Sequence, residues 1–234
     1  MRKITLAILL MLLIATTSHA QFRAGIKAGA NLSNLTMNMQ GVEFEIYNPR
    51  IGFNAGLMAE YMFSQHFGLH TELMYVNNGA NIDPDKYIEG VENPGGVSVE
   101  GYVDMHTFQM PLYLKTKFML PNNIKLYAMA GAFGTLTPYG DQHMKMKAEG
   151  ESLKVKWSIF DPKIQVMDEI ENNDYMQRNL NMGAAVEAGI EMDRFIVGVG
   201  FRKVLTNMSG IEILGVGKPI IKMWMANLSL GYYF

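Results

Sequence analysis

The sequence contains no cysteine and, after residue 20, no long apolar run. Without cysteine, disulfide scaffolds and cysteine-based metal or nucleophile sites are excluded. No apolar run is long enough for a membrane-spanning helix. The 20 basic residues nearly balance the 22 acidic ones, so nothing predicts the basic surface that a nucleic-acid partner requires. A hydropathy scan therefore describes a soluble chain, but such scans miss membrane-spanning strands, whose signal is much weaker than that of a helix.

The first 20 residues have the features of a secretory signal peptide. Arg2 and Lys3 form a charged start, a short apolar segment follows, and small residues lead up to Ala20. We therefore expect cleavage after Ala20, with residues 21–234 forming a single domain.

Alternation with a period of two is the dominant pattern of the remaining chain. In residues 22–32 every second side chain is apolar, and the intervening ones are charged, polar or glycine. A half-buried β-strand requires this pattern, whereas a helix would scatter both sets around its axis. The same alternation predicts eight strands: 22–32, 51–63, 67–76, 104–118, 124–136, 180–192, 195–202 and 224–234.

The connections between these predicted strands are alternately short and long. Short turns fall at 64–66, 120–123 and 193–194, and long segments at 33–50, 77–103, 137–177 and 206–221. This layout is typical of outer-membrane barrels, and closure removes the exposed edges of an open sheet. We therefore predict an all-β fold: a closed, eight-stranded, antiparallel, up-and-down transmembrane β-barrel with its long connections facing outward.

Pro111 falls inside the predicted fourth strand. A proline in a paired strand removes a ladder hydrogen bond and usually marks an edge or a bulge. In a closed barrel we expect a bulge at Pro111.

Two classes of barrel share this alternation and differ in the face that points inward. A soluble lipocalin-like barrel turns its apolar side chains inward around a ligand. Here the apolar set carries almost no charge and its aromatic residues cluster near strand ends, which favours contact with outer-membrane lipid. Tyr232 and Phe234 lie on this set and resemble the terminal signal read by the barrel assembly machinery, a partner expected during biogenesis.

The opposite face of the predicted strands gathers the polar groups. An eight-stranded barrel is just wide enough for side chains to fill its interior, and buried charges need partners. We therefore expect structural ion pairs in the lumen, with a proton or ion path as the alternative. The candidate residues are Lys27, Glu60, His70, Glu72, Lys115, Lys117, Tyr127, Glu187, Glu191 and Arg202.

The sequence offers little for a metal site or for catalysis. His70 and Glu72 share one strand face and could form part of a metal site or an acid–base pair, but no second ligand is placed beside them. A hydrolase needs a nucleophile, a base and an orienting group within reach, and the serines of the predicted loops lack such a pattern. We expect a non-enzymatic protein without a cofactor, and a membrane-embedded hydrolase is the enzyme class left open.

The segment 137–177 is the longest predicted connection. Residues 144–148 and 153–159 alternate in polarity, which predicts a β-hairpin projecting beyond the membrane, and Asp161 with Pro162 predicts a short helical turn after it. Binding residues tend to lie on loops held by a rigid scaffold. We therefore consider Trp157 and Phe160 as contacts for an unknown extracellular or secretion partner, together with the segment 77–103.

Several segments, taken in order, resemble one family. They are GIKAGANLS at 25–33, TELMY at 71–75, MPLYLK at 110–115 and LGYYF at 230–234. These segments resemble the outer-membrane β-barrel domain proteins of Bacteroidetes, called the "porin family", which include PorT-like proteins. The resemblance implies the barrel fold and a Gram-negative outer membrane, and it allows a narrow pore or an accessory of protein secretion. It implies no single activity.

Overall fold

The computed structural model describes residues 21–82, 98–148, 151–159, 178–210 and 218–234. The expected signal peptide and the helical turn after Asp161 lie outside these ranges. None of the helices in the described residues is long and apolar enough to cross a membrane. The strands are β1 Gln21–Met39, β2 Val42–Phe44, β3 Tyr47–Met62, β4 Phe67–Ile82, β5 Ser98–Met119, β6 Ile124–Ala148, β7 Glu151–Ser158, β8 Leu180–Met192, β9 Phe195–Val204 and β10 Ile220–Tyr233.

Eight of these strands form one antiparallel up-and-down ring. Each pairs with the next in chain order, and β10 returns to pair with β1, from Gly25 opposite Tyr233 to Asn38 opposite Ile220. The short strands β2 and β7 add to β1 and β6. The predicted fold class is confirmed.

The strands extend further on one rim than the sequence predicted. β1 continues to Met39, β4 to Ile82 and β6 to Ala148, so the predicted loops 33–50, 77–103 and 137–177 are sheet over much of their described length. Alternation reports which face is buried, and its parity reverses in these extensions: the outward side chains become polar, and inward ones such as Val103 and Met105 are apolar, although backbone pairing continues. The short turns on the opposite rim are placed as predicted, at 63–66, 120–123 and 193–194.

Two local predictions have different outcomes. The predicted hairpin is confirmed, because β6 pairs with β7, with Met144 opposite Val155. The bulge at Pro111 is wrong: pairing of β5 with β4 pauses there, but its register is the same on both sides. Thr71 Oγ1 instead donates to the Pro111 carbonyl at 2.9 Å. The register of β5 with β6 shifts nearby, at His106 to Phe108, where β6 supplies one extra residue.

The two faces of the ring have opposite character. Outward apolar side chains are widely exposed, as at Leu114 (67%) and Leu228 (57%), whereas inward Lys115 is 1% exposed. This is the reverse of a lipocalin-like arrangement. We call the outward apolar side chains, from the short turns up to the row Tyr75, Phe108, Leu136 and Leu180, the apolar belt.

Candidate functional site

The predicted lumen residues all lie buried inside the ring. They come from seven of the eight main strands, because each strand alternates and turns its polar set inward. Their side chains meet in two clusters, one near the short-turn rim and one deeper towards the long-connection rim.

Glu60 is the centre of the cluster near the short turns. Lys115 Nζ lies 2.6 Å from its Oε2, and Lys117 Nζ lies 2.5 Å from its Oε1. Arg23, which pairs with Glu60 in register across β1 and β3, approaches Oε1 at 2.7 Å. One buried carboxylate is therefore held by three cations from two strands.

Glu191 extends this cluster across the lumen to β8. Arg23 Nη2 lies 2.7 Å from Glu191 Oε1, and Lys117 Nζ lies 2.7 Å from Oε2. Lys125 adds a contact of 3.2 Å from the partly exposed edge of the cluster. Arg23 and Lys117 thus bridge both glutamates, so that β1, β3, β5, β6 and β8 are joined through their side chains.

Glu72 and Glu187 form the deeper cluster. Lys27 lies between them, 2.6 Å from Glu72 Oε1 and 2.7 Å from Glu187 Oε1. Arg202 Nη2 lies 2.8 Å from Glu72 Oε2, and Tyr127 donates to Glu187 at 3.0 Å. Here two carboxylates face two buried cations, so the charges balance.

Close backbone packing makes this deeper cluster possible. A Cβ atom at Gly198 would lie 2.1 Å from the Tyr127 hydroxyl and 2.7 Å from Glu187 Oε1. No side chain fits between these groups, because real Cβ atoms do not approach heavy atoms so closely. Because residue 198 of β9 is glycine, the Tyr127 hydroxyl has enough space to reach Glu187.

His70 joins the two clusters. Its Nε2 lies 3.2 Å from Glu72 Oε1, and its Nδ1 lies 3.5 Å from the Tyr233 hydroxyl. Tyr233 in turn donates to Glu60 Oε2 at 3.1 Å and accepts from Lys115 at 3.2 Å. A continuous run of polar contacts therefore extends along the lumen from the deeper cluster to the cluster of Glu60.

Aromatic rings face two of the cations that bind Glu60. The Arg23 guanidinium lies 4.1 Å from the centre of the Tyr233 ring, and Lys115 Nζ lies 4.4 Å from the centre of the Tyr127 ring. Such contacts stabilise a cation through the negative face of the ring, most strongly where water is excluded. The cluster around Glu60 holds more cations than carboxylates, and these rings offset part of that excess.

Sequence reasoning missed Arg23, Lys125, Gln109 and Tyr233 as members of the network. Gln109 accepts from Arg202 at 2.8 Å. All of them lie on the inward face of their strands, so the alternation itself could have identified them. Only their partners required the structure.

The arrangement suits charge pairing and the filling of space. Within the described residues, no group of three or more histidine, cysteine, aspartate or glutamate side chains could hold a metal ion. His70 and Glu72 do lie together, but the carboxylate of Glu72 is already bound by Lys27 and Arg202. These charged groups therefore serve as binding partners for one another.

A second polar layer lies outside the ring, beyond the apolar belt. Arg50 of β3 reaches over β4 to Asp104 of β5 at 2.6 Å. It crosses at Gly79, where a φ of +154° and the 1.9 Å that would separate an added Cβ from the Val103 carbonyl both require glycine. Burial raises the pKa of Asp104, but the hydrogen bonds from Arg50 and Asn77 outweigh it and lower the pKa below its ordinary value.

Asp141 occupies the equivalent layer on β6. It accepts from Tyr139 and lies 2.8 Å from Lys156 of β7. Burial raises the pKa of Asp141, but the hydrogen bonds from Lys156 and Tyr139 lower it further than burial raises it. This contact fixes the base of the projecting hairpin.

The remaining predicted residues lie at the two rims. Tyr232 stacks edge-on against Phe195 at 5.0 Å, and exposed Phe234 donates its backbone N–H to Ala24 at 2.9 Å. The backbone of Trp157 pairs with Gln142 on the hairpin. The side chain of Trp157 and all of Phe160 lie outside the described part of the chain.

The sequence matches the family described as "Outer membrane protein beta-barrel domain" over residues 16–210. The chain belongs to this outer-membrane β-barrel family. Its members are outer-membrane proteins, so the apolar belt of this family member faces lipid. No curated protein matches the sequence closely enough to count as a relative.

Several solved outer-membrane proteins resemble this family member in fold. OprG of Pseudomonas aeruginosa is 14% identical, with 93% of this chain and 98% of OprG covered and a TM-score of 0.45. Ail, the attachment invasion locus protein of Yersinia pestis, is 14% identical, with 92% and 99% covered and a TM-score of 0.38. The N-terminal barrel domain of Pseudomonas aeruginosa OprF is 11% identical, with 92% and 100% covered and a TM-score of 0.32.

Proposed function

We propose that this protein is a non-enzymatic outer-membrane barrel with a plugged lumen, and that it acts through the strand extensions on its long-connection rim. It is exported to the outer membrane of a Gram-negative bacterium by the signal peptide of residues 1–20. The barrel assembly machinery reads Tyr232 and Phe234 during insertion. The sequence resemblance to the Bacteroidetes porin family supports this placement.

The observation that carries the proposal is the lumenal network. Glu60, Glu72, Glu187 and Glu191 are each at most 3% exposed, and each contacts at least one cation within 2.7 Å. Breaking a buried pair by removing one partner costs about 3 to 5 kcal/mol. Opening a water-filled path requires several such pairs to separate together, so the resting barrel excludes ions.

The long-connection rim is the other support for the proposal. β5 and β6 extend well past the apolar belt, and β7 adds a further strand to them. The segments in which we expect a binding surface are partly formed by this extension. Strands are less mobile than loops, so they position side chains more firmly. An extracellular or secretion partner would meet the protein here.

Planar-bilayer conductance tests the plugged lumen. The purified, refolded full chain should give no steady channel. A variant with Lys27→Ser, Glu72→Ser and Glu187→Ser removes both carboxylates and the lysine of the deeper cluster and should give measurable conductance. A variant with Lys145→Ser and Lys154→Ser, altered outside the ring, should stay silent.

A steady channel in the unaltered protein would contradict the plug. It would favour the alternative, a narrow pore or a PorT-like accessory of protein secretion. Heat-dependent gel migration verifies that each of the three proteins is folded. If none of them conducts ions, the deeper cluster is not what closes the lumen.

A further inference from the structure

The upper parts of β5, β6 and β7 form a three-stranded sheet beyond the apolar belt. Two neighbouring rows cross it: Tyr102, His143 and Lys156 in one, and Glu100, Lys145 and Lys154 in the next. Tyr102 is an even number of residues from Phe108 on the same strand, so both side chains lie on the same face. Both rows therefore point outward, on the side that carries the apolar belt.

Positive charge accumulates on this outward face. Lys145 and Lys154 lie directly opposite each other, and like charges in that position destabilise a strand pair. Lys156 follows two residues after Lys154 and is held by Asp141 at 2.8 Å. Glu100 faces Lys145 from β5, so lysines outnumber carboxylates across the two rows. A bound anion between Lys145 and Lys154 would relieve their repulsion.

The same face carries a cavity above two stacked rings. The Tyr102 and His143 rings stack with centres 4.5 Å apart and planes 16° apart, and Arg50 lies 4.9 Å above Tyr102. A cavity of about 480 Å³ lies over these rings and is bordered by Lys145, Lys154 and Lys156, and on its β5 side by Glu100. A flat floor with lysines at its border fits a phosphorylated sugar or glycerol group, because ammonium groups bind phosphate through charge-assisted hydrogen bonds.

The position of the face identifies the source of the phosphate. Moving away from the apolar belt, the outward surface passes from Phe108 to His106, then to Asp104, and then to Tyr102. Aromatic residues with polar tips are enriched where hydrocarbon meets the headgroups. The layer next to Tyr102 on the outside of the barrel is therefore the headgroup layer of the leaflet on the long-connection side.

We propose that the outward face formed by Tyr102, His143, Lys145, Lys154 and Lys156 binds the phosphate groups of lipid headgroups in that leaflet. The inference rests on the proposed function only in taking the apolar belt to be embedded in the membrane. The ligand of the strand extension is then a phosphorylated lipid held at the side of the barrel.

Lipid binding to the full chain in neutral detergent micelles tests this proposal. The probe is diphosphorylated lipid A, and the same lipid without its phosphates is the reference. Two lysines near an anionic surface together account for about a thirtyfold change in affinity. Lys145→Gln with Lys154→Gln should therefore weaken binding of the phosphorylated lipid about thirtyfold. The charge-matched control, Lys203→Gln with Lys218→Gln, should bind within about twofold of the unaltered protein.

Three results would overturn the proposal. The two variants could lose affinity equally, which would mean diffuse attraction rather than a site. The protein could bind both forms of the lipid equally. Inositol hexaphosphate, a soluble polyanion, could bind as tightly as the lipid, which would assign the face to a soluble ligand. In each case the heat-dependent gel shift reports whether the barrel is folded, so a loss of the lipid site is distinguishable from a failure of the membrane-barrel proposal itself.

Discussion

Tyr233 of β10 donates its phenolic proton to Oε2 of Glu60 on β3, with 3.1 Å between the two oxygens. The strand between them is β1, whose Arg23 bonds to Glu60 and covers the Tyr233 ring at 4.1 Å. The seam at which β10 meets β1 is therefore fastened from inside by the charge network. Closing the ring and pairing the lumenal charges depend on the same side chains.

Removing the Tyr233 hydroxyl should weaken this seam. Tyr233→Phe keeps the ring under Arg23 but removes the hydrogen bonds to Glu60 and Lys115. Hydrogen bonds to charged groups contribute about 1.5 to 3 kcal/mol, and we expect a loss of that size in the free energy of unfolding, measured with urea in detergent. Tyr232→Phe is the matched control, since its hydroxyl lies outside the lumen and accepts a longer, exposed hydrogen bond of 3.4 Å from Arg194. Equal effects of the two substitutions would contradict this account.

Glu60→Gln tests the centre of the short-turn cluster. The substitution preserves the shape of the side chain but leaves Lys115 buried without a carboxylate and Lys117 with Glu191 alone. We expect a loss of about 3 to 5 kcal/mol and a lower temperature for the gel shift on heating. Glu43→Gln, on the exposed strand β2, should change stability by less than about 0.5 kcal/mol. A Glu60→Gln protein as stable as this control would show that the cluster adds nothing to the fold.

A methyl group at Gly198 should displace Tyr127 from Glu187. The added Cβ would lie 2.1 Å from the tyrosine oxygen, whereas a Cβ at Gly134 of β6 would meet nothing within 4 Å. Overpacking of this kind costs about 1 to 3 kcal/mol, so Gly198→Ala should be destabilising and Gly134→Ala should not. Adding Tyr127→Phe to Gly198→Ala should restore part of the loss, because it removes the crowded oxygen. If adding Tyr127→Phe did not restore part of the free energy of unfolding, measured with urea, crowding of the tyrosine oxygen would not be the cause of the loss.

The ionisation of Asp104 should depend on Arg50. The pKa of Asp104 in the folded protein is lowered, so its contribution to stability is present above the ordinary pKa of aspartate and is lost as the pH falls through the folded value. Arg50→Gln should raise the pKa of Asp104 towards about 3.9. NMR of the labelled carboxyl carbon of Asp104 in micelles measures this titration. Lys203→Gln, which removes a charge on β9, should leave it unchanged. An unchanged pKa in Arg50→Gln would mean that the contact across Gly79 does not form.

The order of the strands and the face to which each side chain points could be predicted, because the polarity of each residue follows its burial. Alternation placed Lys27 inward and Leu114 outward, and charged or turn-forming residues marked the short turns. It failed where the parity reverses: beyond the apolar belt the outward side chains are polar, as at Asp104, and the inward ones are apolar, as at Val103 and Met105. Backbone pairing nevertheless keeps β6 continuous to Ala148. Pro111 misled for a related reason, since a missing N–H interrupts one ladder without forcing a shift in register.

The pairing of charges could not be read from the sequence at all. Arg23 and Glu191 are far apart in the chain and come together across the lumen because of the stagger of the strands. Which of six cations contacts which of four carboxylates depends on that stagger. A one-residue slip would reverse every face, so alternation fixes the face but not the partner.

The apolar face of this barrel meets lipid while its polar face fills the lumen, and neighbouring residues of β10 lie on the two faces. Because the chain has no cysteine, single substitutions there test this division directly. Leu228 is 57% exposed and Ser229 is 1% exposed, and we would make Leu228→Cys and Ser229→Cys in protein refolded into vesicles. We predict that the thiol of Leu228→Cys reacts with a lipid-soluble maleimide, that its fluorescent adduct is quenched by brominated lipid, and that Ser229→Cys reacts only after unfolding. The opposite pattern, with Ser229→Cys labelled from the lipid and Leu228→Cys protected, would contradict this division of the two faces.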